Sequence, residues 1–212
     1  MSDIEAVAAL QDPLRRRLYD YVVAQDHEVS RNEAAEAAGV ARTLAAHHLD
    51  RLAEVGLLDT VSRRVSGRSG PGAGRPAKLY RRSGVEFAVS LPARDYRSAA
   101  LLLAEVAEAA GLDSEVRETA RRHARGLRRV PAGDLAAAAG VLAERGYEPV
   151  RDGDLLRMRN CPFHVLSTEF APLVCGMNLA LLEGLLEGSS VRMESRPGWC
   201  CVVVEPSKTN RS

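Results

Sequence analysis

All four cysteines of the chain, Cys161, Cys175, Cys200 and Cys201, fall in its last third. Thiolates are soft ligands and nucleophiles, so thiols gathered late in one chain invite metal or redox chemistry. The first stands in Asn160-Cys161-Pro162-Phe163-His164, where His164 follows its cysteine at a spacing that lets both side chains meet one ion. The second is expected to open a helix over 174–186, where the positive end of the macrodipole favours a thiolate. The Cys200-Cys201 pair is expected to begin the last strand, so that side-chain alternation turns one thiol toward a site and the other away. Cys161, His164, Cys175 and one of Cys200 or Cys201 would supply four ligands from three loops, which suits tetrahedral zinc or an iron–sulfur cluster. The alternative leaves Cys175 and one of the pair as ordinary core residues.

A second set of residues lies near the N-terminus and is built for hydrogen bonding. In the segment 41–56, Ala45, Leu49 and Leu52 share one helical face, which turns Thr43 and His47 outward beside Arg42 and Arg51. His47 and His48 project about 100° apart on a helix and cannot easily share an ion; His47 reads as a groove-facing donor and His48 as a packing residue. Between Arg63 and Arg82 the chain carries Arg68, Arg75 and Lys78 among its cations and no acid. Net charge is only +1, yet phosphate affinity is set by local patches rather than by totals. A further run, Arg121 to Arg129, reads as a solvated helix face.

These side chains need elements to hold them. Asp12-Pro13 starts a helix that ends near Gln25; Ser30-Arg31-Asn32-Glu33 is a capping box opening a short helix that Gly39 stops; Gly56 closes the next. Two helices joined by a tight turn, the second with small polar residues outward, is the arrangement that enters the DNA major groove. Strand-like runs at 57–61 and 77–81 flank a Gly-, Pro- and Arg-rich tip, which makes a wing able to reach phosphates or the minor groove. The apolar helix expected over 94–110, rich in Leu101, Leu102, Leu103 and Val106, needs a partner and is a candidate dimer contact. Further on, a helix over 114–129, a helix from Asp134 to about Arg145, a hairpin with an Asp152-Gly153 turn, the helix at 174–186 and strands at 191–194 and 200–205 compose a small α+β domain.

On His47-His48-Leu49, Glu54-Val55-Gly56-Leu57-Leu58 and the wing motif Gly74-Arg75-Pro76-Ala77-Lys78-Leu79-Tyr80, residues 8–90 resemble winged helix-turn-helix regulators of the ArsR/MarR-like superfamily. With Cys161-Pro162, Cys175 and a cysteine before the final strand, the whole chain is similar to SufR-like regulators. That resemblance implies DNA affinity dependent on an intact iron–sulfur cluster. The Cys175 to Cys200 interval is longer than that family's, a double cysteine replaces a single one, and His164 takes the place of a thiolate.

The expectation is therefore an α+β protein: a winged helix-turn-helix over 1–90, helices over 91–130 for linking or dimerisation, a sensing domain over 131–206 and a tail at 207–212. It would be a cytoplasmic homodimer on a double-stranded operator, with no membrane contact and no enzymatic activity. No run of roughly 18 apolar residues occurs, and neither a Gly-x-Ser-x-Gly nor a phosphate loop is present. A structural zinc or a small-molecule effector pocket is the alternative to the cluster.

Overall fold

A computed structural model describes residues 2–63, 76–127, 130, 133–186 and 188–206, which divide into two compact units, 1–94 and 95–212. Arg68 and Arg75, the expected tip of the wing, and the 207–212 tail lie outside the described residues.

The first unit runs α1 (Asp3–Ala9), α2 (Pro13–Ala24), β1 (Val29–Ser30), α3 (Arg31–Ala38), α4 (Arg42–Glu54), β2 (Leu58–Arg63) and β3 (Ala77–Arg82). Its helix ends are written in local chemistry. The Asp12 carboxylate accepts from the Arg15 amide, Ser30 and Glu33 close their reciprocal box, and Gly39 stops α3 at a φ of 63° that a side chain would resist. Ala41, which has no side chain to cap with, begins α4. Three antiparallel strands form a sheet in the order β1-β3-β2, pairing Leu58 with Arg82 through to Arg63 with Ala77. Leu18, Val22, Ala45, Leu49 and Leu52 close the core against Tyr80. Two of these elements, α1 and β1, were not expected.

The second unit runs α5 (Tyr96–Ala109), α6 (Asp113–Arg125), α7 (Leu135–Ala143), β4 (Pro149–Asp152), β5 (Leu155–Met158), α8 (His164–Glu169), α9 (Ala171–Leu185), β6 (Ser189–Met193) and β7 (Val202–Pro206). Its antiparallel sheet has the order β4-β5-β7-β6. The β4–β5 turn centres on Gly153-Asp154 rather than Asp152-Gly153; only Gly153 takes positive φ, the II′ pattern that suits strand twist. One sheet face, with Leu156, Met158, Val202 and Val204, packs on α7 and α9. On the other, Arg157 bonds Asp152 and Glu194, and Arg192 bonds Glu194 and Glu205.

Helix α6 lies along α9, so the helices expected as a linker belong to the same unit as the cysteines. Small residues permit the approach. A Cβ on Gly184 would stand 2.6 Å from the Arg121 carbonyl oxygen, and one on Gly176 2.7 Å from the Arg117 Nε. The Arg121 guanidinium reaches Glu183 at 2.6 Å, so this part of the arginine run braces α9 rather than only facing water. Arg128 and Arg129 lie outside the described residues. Among the described residues, no helix is long and apolar enough to cross a membrane.

Candidate functional site

Helix α4 presents one face outward. Ala45, Leu49 and Leu52 are buried, which leaves Thr43, His47 and Arg51 exposed, as their spacing required; Arg42 is exposed as the first residue of the helix. Arg51 lies 3.1 Å from Glu54 on the same surface. Leu44 joins this face at 42% exposure, a residue that apolar-periodicity reasoning assigns to the core by type and the helical angle assigns to the surface. His48 packs inward, accepting at Nδ1 from the Arg15 Nε at 3.4 Å; burial lowers its pKa.

Lys78 has a different occupation from the phosphate contact that its place in the basic run suggests. The Lys78 ammonium stands 2.5 Å from Asp50, the Tyr80 hydroxyl donates to the same carboxylate at 2.7 Å, and Arg31 donates to the Tyr80 oxygen at 3.0 Å. Burial and the Asp50 charge push the Tyr80 pKa up to about 12, so its proton stays in place. For Asp50, burial raises the pKa, but the bonds from Lys78 and Tyr80 prevail and hold it below the usual carboxylate value. The network ties α4 and α3 to β3, and so sets the angle of the exposed α4 face to the strands that carry the wing.

In the second unit the four thiols come from three places and meet. Cys161 follows β5 in a loop closed by the His164 amide donating to its carbonyl at 3.0 Å. Cys175 stands on α9. It is a full turn inside that helix, because Pro172 opens α9 at Ala171, so the first-turn dipole effect expected at Cys175 does not apply. Cys200 and Cys201 precede β7 rather than begin it, held by the Cys200 amide on the Met158 carbonyl at 2.8 Å and by the Cys201 carbonyl under the Glu194 amide at 2.7 Å. Strand alternation therefore does not separate them. Cys161, Cys200 and Cys201 pack in one cluster, with Cys200 interacting with both of the others and Cys201 with Cys175, so the sulfurs follow one another as a row in the order Cys161, Cys200, Cys201, Cys175.

Charge in this row collects on one sulfur. Hydrogen bonds from Cys161 and Cys201 hold the Cys200 thiol below its usual pKa against the cost of burial, helped by the Val202 amide and by Asn178. The same bonds, with burial, push Cys161 and Cys201 up, so they remain donors. Asn178, 1% exposed, donates from Nδ2 to the Cys200 Sγ at 3.5 Å and accepts at Oδ1 from the Tyr147 hydroxyl at 2.5 Å. Nothing in the sequence marked Asn178 or Tyr147; their role appears only when α9 and the 144–149 turn are brought together. Burial, with the nearby thiols, raises the Tyr147 pKa and keeps it protonated.

His164 is exposed at the first residue of α8 and takes no part in the thiol bonds. Among the described residues, no group of three or more His, Cys, Asp or Glu stands around one point as a metal requires; the thiols form a row rather than a closed shell. Cys175 and Cys201 line an open groove of about 430 Å³ with Arg117, Leu179, Met193 and Ser195.

A family model described as a helix-turn-helix domain matches residues 10–61, from the lead-in to α2 through most of β2. No curated protein and no solved structure matches the chain. The first unit thus carries a helix-turn-helix domain, the architecture of DNA-binding regulators, with α4 as the second helix of its motif.

Proposed function

We propose that the chain is a homodimeric, non-enzymatic transcription regulator. It places α4 in the major groove of double-stranded DNA, and its operator affinity depends on a sulfur-ligated metal centre in the second unit, an iron–sulfur cluster. Thr43, His47 and Leu44 read base edges, Leu44 through a thymine methyl, while Arg42, Arg51 and the wing arginines Arg68 and Arg75 bind phosphate. Lys78 acts mainly through Asp50, as a brace.

The observation that carries the sensing half is the gathering of Cys161, Cys175, Cys200 and Cys201 from three segments, with the Cys200 thiol held below its usual pKa, in the direction of the thiolate that a metal ligand must be. The donor set is sulfur throughout, without His164, which favours iron–sulfur over a mixed zinc site. When bound, such a cluster supplies electron transfer and lability to oxidants. The chain's own residues would have to close that row around the group, drawing together the β5 loop, α9 and the lead-in to β7, while Asn178 and the Val202 amide favour the charged form of Cys200. Loss of that tie loosens the unit and alters how the DNA heads are held.

The groove beside Cys175 and Cys201 supports a second reading, a small-molecule effector site with the thiols at its floor. Anaerobic purification with iron, sulfide and zinc analysis, followed by affinity for DNA selected from a random library, separates the two. Iron with sulfide, and a changed affinity when all four cysteines become Ser, are the expected results. Metal-free protein, or equal affinity in the Ser variant, overturns the cluster.

A further inference from the structure

The groove beside the thiols has a lining of three unlike chemistries. Helix α9 gives it Pro172, Cys175 and Leu179, at steps of three and four along one stripe of the helix, and Met193, the last residue of β6, adds to the apolar wall. A volume of about 430 Å³ is that of a small molecule.

Among the described residues of the lining, Arg117 alone carries a charge. Its guanidinium lies on α9 because Gly176 has no side chain: a Cβ there would stand 2.7 Å from the Arg117 Nε and 3.2 Å from its Nη2. Its acid, Asp113, is one turn back on α6 at 3.8 Å, outside the lining and too far for a hydrogen bond. A planar fork that matches a carboxylate in two parallel bonds is thereby held beside apolar walls. The thiols add the third property. Cys161, Cys200 and Cys201 pack with the core of the unit, whereas Cys175, among the described residues, stands outside that packing and on the groove. A soft nucleophile on an open wall suits a soft electrophilic carbon.

We propose that this groove takes small carboxylates with an apolar body and an activated carbon–carbon double bond, and that Cys175 adds to them. In that step the S–H bond and the π bond break, a bond forms between the Cys175 Sγ and the β-carbon, and the proton ends on the α-carbon; no oxidant or reductant is consumed. Arg117 holds the carboxylate, and with it the double bond, against the wall that carries Cys175. This rests on the effector reading of the groove and names the chemistry of its ligand. The adduct takes Cys175 out of the thiol row, so a ligand of this class and a metal compete for one sulfur.

The full chain, reduced and metal-free, is treated with N-(carboxyphenyl)maleimide or with the neutral N-phenylmaleimide, each rate is divided by that with mercaptoethanol, and adducts are located by peptide mass spectrometry. The ratio at Cys175 is expected to favour the carboxylate by about three- to tenfold. R117Q is expected to bring it to about one, and G176A, whose methyl displaces the guanidinium, to lower it. Equal rates, a preference that survives R117Q with an unaltered circular dichroism spectrum, or first reaction at another cysteine overturns the site. If R117Q does not fold, an unchanged ratio in G176A overturns it instead. Affinity for the selected DNA is then read with the adduct in place. A carboxylate preference with unchanged DNA affinity leaves the site standing and removes the effector reading, whereas changed affinity with no carboxylate preference keeps that reading and overturns this ligand class.

Discussion

Asn178, 1% exposed, stands between two polar partners. Its Oδ1 accepts a hydrogen bond from the Tyr147 hydroxyl and its Nδ2 donates one to the Cys200 sulfur, so a single amide satisfies a phenol and favours the charged form of a thiol. A hydrogen bond to a charged group contributes about 1.5–3 kcal/mol, and one pKa unit corresponds to about 1.4 kcal/mol. In metal-free, reduced protein, Asn178→Ala should therefore move the midpoint of Cys200 thiolate formation up, and by less than removal of either the Cys161 or the Cys201 thiol does. The sign follows from the donor: it favours the charged form, so removing it favours the thiol. Tyr147→Phe keeps the Nδ2 donor and should move the midpoint much less. Thiolate ultraviolet absorbance followed through a pH titration reads both, and an unchanged curve for Asn178→Ala removes the amide from the thiol site.

Among the elements, the packing of α6 on α9 distinguishes two glycines that look alike in the sequence. At Gly184 an added methyl meets the Arg121 carbonyl oxygen and the Ala124 Cβ, both fixed to the α6 backbone, so one helix must move. At Gly176 it meets the Arg117 guanidinium, the far end of a flexible chain. Overpacking against fixed atoms costs about 1–3 kcal/mol, while Gly to Ala within a helix returns up to about 1 kcal/mol. Gly184→Ala should lower the urea midpoint accordingly, and Gly176→Ala should leave it nearly in place; equal effects would mean that α6 and α9 are not held at this distance. Other elements were readable because their signals are local. Asp12-Pro13, the Ser30–Glu33 box, Gly39, Gly56 and the Asp134 cap each act within a few residues, and the helices they bound stand where they were expected. The failures have the opposite character. Cys200 and Cys201 look like the start of a β run, but β7 begins only at Val202, and the Cys200 amide bonds the Met158 carbonyl, remote in the chain, outside the β5–β7 register. The short β1 forms only because β3 pairs with it, and the convergence of three thiol-bearing segments is a property of tertiary packing that no spacing encodes.

For the molecule as a whole, a formal charge of +1 sets limits on how it finds DNA. The general field is weak, so phosphate affinity must come from the few cations the fold leaves facing outward, and the geometry of the first unit withdraws one of them: Lys78 is held on Asp50. Arg42 stands at the exposed start of α4, where, on the proposed reading, helix N-terminus and guanidinium would act on one phosphate together. Removing a cation from one phosphate reduces the slope of log affinity against log salt by roughly 0.9, whereas removing a base-reading side chain leaves the slope alone and costs about 1–3 kcal/mol at one base pair. Arg42→Ala should thus flatten the salt dependence, by two phosphates per dimer if both heads are engaged, and weaken all sequences alike. Thr43→Ala and Leu44→Ala should keep the wild-type slope and relax the preference at single positions. Lys78→Ala should lower thermal stability by freeing Asp50 beside Tyr80, with little change in slope. Titrations on selected and scrambled DNA at several salt concentrations measure all of these, and a full unit drop in slope for Lys78→Ala would return Lys78 to the phosphate-binding set and show that the Asp50 brace opens on DNA.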